Sequence, residues 1–156
     1  VNTATVSELK SELGKRSQKE LIAFCLRMVK YRKENKELLT YLMFEEQSPE
    51  VFLDNYRAEM DLLFADMNTT NLYYIRKSTR RILRFASKYV KFVQAPQLAA
   101  ELLIYFCNGV IEHGIPLGKS TQLMNLYTGQ LKKIEDLLST LHPDLQYDLR
   151  RQIRKI

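Results

Sequence analysis

Leu98-Ala99-Ala100-Glu101-Leu102-Leu103-Ile104-Tyr105-Phe106-Cys107-Asn108-Gly109-Val110-Ile111 is apolar on nearly every side, with Glu101 and Asn108 as its polar interruptions. A helix of that kind is either a membrane span or the centre of a larger helical domain. The run is shorter than the roughly 20 apolar residues needed to cross a bilayer. It therefore predicts a buried helix, and amphipathic helices must surround it.

The flanking sequence supplies them. Thr5-Val6-Ser7-Glu8 and Ser17-Gln18-Lys19-Glu20 both have the form of a capping box, in which a hydroxyl takes an orphan N–H and a glutamate reaches back. The first opens a short helix that stops near Gly14. The second opens a helix carrying Leu21, Ile22, Phe24, Cys25, Met28 and Val29 to about Tyr31. Arg32 to Lys36 predicts a bend, followed by a helix whose inner stripe is Leu38, Leu39, Leu42 and Met43. Ser48-Pro49-Glu50 supplies an N-cap, a first helical residue and an acid favoured by the helix dipole. The helix it opens carries Val51, Phe52, Tyr56, Met60, Leu63 and Phe64. A helix over 72–93 follows, and Ala95-Pro96 then starts the central one, which Gly114 and Pro116 close. Ser120 or Lys119 begins a helix with Leu123, Tyr127, Ile134 and Leu138 at helical spacing. Gly129 within it costs about 1 kcal/mol relative to alanine, so a tight packing contact is expected there. His142-Pro143-Asp144 starts the last helix, which runs towards Ile156.

No run alternates with period two between turn residues. With 5 Gly and 4 Pro in 156 residues, turns are few and long helices are favoured. The expected fold is all-α, one domain over residues 1–156, with seven or eight helices. Glu37-Leu38-Leu39-Thr40-Tyr41-Leu42 resembles Glu101-Leu102-Leu103-Ile104-Tyr105-Phe106. Lys30-Tyr31 and Lys33 precede the first copy as Lys88-Tyr89 and Lys91 precede the second. This faint repeat divides the chain into two three-helix units, about 17–67 and 70–141, plus a C-terminal helix 143–156. Such an order resembles an armadillo-like or HEAT-like superhelix of antiparallel hairpins; a compact helical bundle is the alternative.

Charge is segregated along the chain. Between Glu45 and Asp66 stand Glu45, Glu46, Glu50, Asp54, Glu59, Asp61 and Asp66 against a single base, Arg57. From Met67 to Ala100 there is no acid, and the bases are Arg76, Lys77, Arg80, Arg81, Arg84, Lys88 and Lys91. At about 100° per residue, Lys77, Arg81, Arg84, Lys88 and Lys91 fall within roughly 80° of arc. Leu72, Ile75, Ile82, Leu83, Ala86, Val90 and Val93 lie opposite. Tyr73 and Tyr74 stand at the start of this helix, where they could stack on bases. The stripe can meet an acidic protein or the phosphates of a nucleic acid. Alternatively, the acidic helix before it neutralises it through surface ion pairs, each worth about 0–1 kcal/mol. Arg150, Arg151, Arg154 and Lys155 form a second cluster, expected to complement the dipole of the last helix.

Catalytic signals are missing. There is no P-loop and no glycine-rich dinucleotide fingerprint. Cys25 and Cys107 lie far apart in apolar stretches, which predicts two reduced core thiols and no zinc site. His113 precedes Gly114 at a helix end and His142 precedes Pro143 at a helix start, both structural positions. The paired carboxylates Glu45-Glu46 and Glu59-Asp61 lack the histidine partners of helical di-metal sites. The N-terminal VNTATVSELKSEL lacks the basic and apolar regions of a secretory leader. A cytoplasmic protein follows as the expectation, with no catalytic, cofactor or metal site. The function expected is a non-enzymatic interaction or scaffold protein showing a charged helical surface to a protein partner. A nucleic-acid-binding module using helix 72–93 is the second expectation, and an enzyme with a site assembled from scattered polar residues is the third.

Overall fold

The computed structural model describes all residues, 1–156, and every regular element in it is helical. The helices are α1 (Val6–Leu13), α2 (Gln18–Tyr31), α3 (Lys33–Thr40), α4 (Pro49–Ala65), α5 (Leu72–Phe92), α6 (Pro96–Glu112), α7 (Thr121–Leu138) and α8 (Pro143–Gln152). A single π-type turn, Tyr41–Glu45, follows α3, and a 3₁₀ turn, Leu117–Lys119, precedes α7. No helix is long and apolar enough to cross a membrane.

The chain divides into two compact units, Val1–Glu45 and Glu46–Ile156. The boundary falls at the junction before Pro49. The two copies of the repeat sit in different surroundings. Leu102 and Leu103 are buried, whereas Leu38 and Leu42 are exposed.

In the first unit, both capping boxes form. The Thr5 N–H donates to Glu8 Oε2 at 2.8 Å, and the Glu8 N–H to Thr5 Oγ1 at 3.2 Å. Ser17 and Glu20 repeat the exchange, each bond 3.2 Å. These hydrogen bonds hold both glutamate carboxyls below the usual range. The bend between α2 and α3 needs only one extended residue, Arg32, because Asn35 Nδ2 donates to the Met28 carbonyl at 2.8 Å across it. None of α1, α2 and α3 has a buried residue; Tyr41 is the only buried one in this unit. Cys25 is exposed rather than a core thiol, and Leu38, Leu42 and Met43 are exposed rather than an inner stripe. Their helical spacing marks an apolar face, but α2 and α3 alone have too few neighbours to cover it.

The second unit gathers around α6, against which α4, α5, α7 and α8 all pack. These neighbours of α6 are the helices one and two places away in the chain, an order that a stack of hairpins and a compact bundle share. Leu102, Phe106, Cys107 and Val110 are fully buried, and burial pushes the Cys107 thiol up to about 12. Tyr56 on α4 donates its buried hydroxyl to the Leu102 carbonyl at 3.0 Å. Among the glycines the tightest surroundings are at Gly109, where a Cβ would lie 2.8 Å from Cζ of Phe64. Gly129, by contrast, has open space around it, so the tight contact expected there is absent. Gly114 ends α6 at φ +64°, a conformation that glycine adopts without steric cost.

Asn108 explains one polar interruption of the central helix. Its Nδ2 donates to the Gln152 carbonyl at 2.8 Å, and its Oδ1 accepts the Arg154 N–H at 2.9 Å, which fixes the end of α8. The C-terminal arginines also do more than complement a dipole. Arg150 donates to both carboxylate oxygens of Glu135 on α7, and Arg154 pairs with Glu112 on α6 at 2.8 Å. Ser48 sits at the N-cap of α4 without a side-chain cap bond, so Pro49 alone shapes that start.

Candidate functional site

The basic helix forms where the sequence places it. Asn71 caps it, its Oδ1 accepting the Tyr74 N–H at 3.0 Å. Its apolar face points inward through Thr79, Ile82 and Ala86, all buried. The Thr79 hydroxyl, which would be an orphan there, donates to the Ile75 carbonyl at 2.8 Å.

Helix α4 meets α5 through aromatic rings. Tyr56 stacks on Phe85 with centroids 5.5 Å apart, and Phe52 and Tyr56 meet Tyr89 at 5.7 and 6.0 Å. Two of the four acids of α4 are engaged elsewhere: Asp54 pairs with Arg57, and Asp61 accepts the Tyr105 hydroxyl at 2.8 Å. That bond and burial raise Tyr105 to about 12, burial being the larger cause. No ion pair joins an α4 carboxylate to Arg76, Lys77, Arg80, Arg81, Arg84 or Lys91. Direct ion pairs from α4 to these six bases are therefore absent. These two consecutive helices of opposite charge dock through aromatic side chains.

Lys77, Arg80, Arg81, Arg84 and Lys91 are exposed, while Arg76 and Lys88 are half-buried. Lys88 differs from the others because its Nζ lies over the rings of Phe85 and Tyr89, at 5.9 and 5.4 Å. At the N-terminal end of the stripe, Tyr73, Arg76, Lys77 and Arg80 form a concavity with Gln122 of α7, with a volume of about 260 Å³. Tyr73 and Tyr74 meet edge to face with centroids 5.2 Å apart, and both are exposed. The structure thus brings Tyr73, Arg76, Lys77 and Arg80 together and leaves Arg81, Arg84, Lys88 and Lys91 as the continuation of one face. Gln122 went unnoticed in the sequence; nothing about a glutamine in the first turn of α7 indicates that it faces α5.

The arrangement offers guanidinium forks, ammonium groups and aromatic rings, all suited to holding an anion. It offers no nucleophile with a neighbouring base. No group of three or more His, Cys, Asp or Glu is placed to hold a metal ion. His113 stacks on Phe64 at 4.7 Å with its Nδ1 2.9 Å from the Gly109 carbonyl, and His142 Nδ1 caps α8 by accepting the Asp144 N–H. Both histidines occupy the structural positions expected of them. The chain matches no protein-family model, no curated protein and no solved structure.

Proposed function

We propose that this protein is a non-enzymatic interaction protein that presents the basic face of α5 to an acidic surface on a protein partner. The observation that carries this is the set of six bases, Arg76, Lys77, Arg80, Arg81, Arg84 and Lys91, that make no ion pair within the chain. A base-rich face of that length raises the local concentration of an acidic partner and orients its approach. A protein partner suits the unit better than a long polyanion does. The same unit carries acids on α4, and its bases exceed its acids by only three, 15 against 12 over residues 46–156. A folded partner can present a bounded acidic patch, which suits a unit of such modest net charge.

A nucleic acid is the second possibility, favoured by one feature. Tyr73 and Tyr74 are exposed beside Arg76 and Arg80, an aromatic and cationic pairing on which unpaired bases stack.

The test compares the wild-type chain with an Arg81→Glu/Arg84→Glu variant in quantitative pull-downs from native extract, with and without nuclease. Both residues are exposed, so folding should be retained. Partners lost on charge reversal and kept after nuclease support the proposal. Retention of every partner by the variant refutes it, and loss of all partners on nuclease treatment transfers the face to nucleic acid.

A further inference from the structure

The first unit carries a second surface that the basic helix does not explain. At about 100° per residue, the apolar side chains of α2, from Tyr31 and Phe24 round to Ile22 and Leu26, cover roughly 220° of arc. One helical neighbour needs little more than 100°. Helix α3 supplies one neighbour, and the rest stays open: Ile22, Phe24, Leu26, Met28 and Tyr31 are all exposed. Between the two helices lies a groove of about 220 Å³ lined by Cys25, Met28, Val29, Leu38, Leu39 and Leu42. Asn35 also lines it, and its side chain is the link that holds the bend. Phe24, Arg27, Met28 and Tyr31 line a second hollow on α2. Contiguous exposed apolar surface rimmed by charge marks an interaction site.

The charge around the groove selects its occupant. From Leu21 to Lys36 the bases Arg27, Lys30, Arg32, Lys33 and Lys36 stand against one acid, Glu34. The acids before this stretch are already engaged. Glu8 and Glu20 close the capping boxes, and Glu12 pairs with Lys15 and Arg16. Lys33 pairs with Glu37, but Arg27, Lys30 and Arg32 have no ion pair. A second copy seated symmetrically on this face would bring the same unpaired bases against the first set. An apolar stripe flanked by acids has the complementary pattern.

We infer that the α2–α3 groove docks an amphipathic helix of another protein, with its apolar stripe on Met28, Leu38 and Leu42 and acidic residues flanking that stripe towards Arg27 and Lys30. This is helix-in-groove recognition, with apolar anchors one and two turns apart. It concerns residues separate from α5, so either proposal can fail without the other.

The test uses the full chain and two labelled synthetic peptides of 18 residues, followed by fluorescence anisotropy. Both carry leucines at helical spacing; one has glutamates on the flanks and the other lysines. The acidic peptide should bind with a Kd on the order of micromolar and the basic one about tenfold more weakly or worse. Leu38→Asp should weaken binding of the acidic peptide by about tenfold or more, since it removes an anchor and places a like charge in the groove. Arg27→Glu/Lys30→Glu should invert the preference between the two peptides, an outcome that unfolding cannot mimic. Equal binding of both peptides, or of neither, overturns the inference. A dimer of the free chain in sedimentation analysis that dissociates on Leu38→Asp also overturns it, by assigning the groove to a second copy.

Discussion

Replacing glycine by alanine at two positions of the second unit should change stability in opposite directions. In α7, Gly129 has no atom within 4 Å of the site a Cβ would take. Alanine there gains helix propensity and restricts the unfolded chain, which stabilises by about 0.4–1 kcal/mol. In α6, the same change at Gly109 drives a methyl group against the ring of Phe64. That ring cannot easily give way. It is buried, stacked on His113 with an interplanar angle of 11° and set against Phe106 with centroids 6.2 Å apart. A Cβ 2.8 Å from Cζ must be relieved by close to 1 Å of movement, and overpacking of this kind costs about 1–3 kcal/mol. The propensity gain is common to both variants, so the difference between them isolates the clash, about 1–3 kcal/mol in favour of Gly129→Ala. At roughly 3 °C per kcal/mol for a chain of this size, the two melting temperatures should differ by about 3–9 °C by circular dichroism. Phe64→Leu in the Gly109→Ala background should recover part of the loss, a coupling that a double-mutant cycle reads directly. Equal shifts for the two alanine variants would show that the close approach of α4 and α6 at Gly109 does not exist.

Three further outcomes follow from the same packing. Cys25 should react with a thiol reagent in the native protein, whereas Cys107, buried and raised to about 12, should react only after denaturant exposes it. Counting labelled thiols by mass spectrometry before and after unfolding checks this, and two rapidly labelled cysteines in the native state would contradict the buried place of α6. Asn108→Ala should remove both bonds to the end of α8 and cost about 1–2 kcal/mol, with faster amide exchange confined to the last turn of α8. Tyr105 should make stability fall at high pH. Its folded value of about 12 exceeds the ordinary 10.0 of the unfolded chain, so its contribution is complete below pH 10 and is lost as pH rises from 10 towards 12. Tyr105→Phe should flatten that limb in alkaline unfolding curves and leave the neutral region little changed.

Local signals in the sequence translated well into local structure. Thr5, Ser17, Asn71 and Ser120 cap helices, and Pro49, Pro96 and Pro143 start them, because each feature acts within one helical turn. The burial of Phe106 was also legible, since a helix apolar on all sides has no face to give to water. What could not be read depends on distant parts of the chain. Nothing near Gly109 indicates that a ring from α4 will lie on it, and Gly129 looks the same in sequence although it faces open space. Which side chains join α4 to α5 was not legible for a similar reason. Sequence shows that the two helices are adjacent and oppositely charged, but the angular position of Phe52 and Tyr56 relative to Tyr89 decides which faces meet.

The exposed apolar face of α2 and α3 turns on the same distinction. Hydrophobic periodicity marks an apolar face; it does not record what, if anything, covers it. Leu38 and Leu102 occupy matching positions in two similar hexapeptides, yet one is exposed and the other fully buried. The difference lies in the surroundings: α6 has four helices packed on it, while α2 and α3 pack chiefly on one another. Apolar side chains of this size gain about 1.5–3 kcal/mol each when fully taken from water. An open face carrying several of them is thus the place where a partner would find the largest gain. The unpaired bases Arg27, Lys30 and Arg32 add a preference that apolar burial lacks, because burial alone does not distinguish an acidic helix from a basic one. For this reason the charge-inverted peptide is the decisive probe: it keeps the apolar stripe constant and changes only the feature that selects the partner.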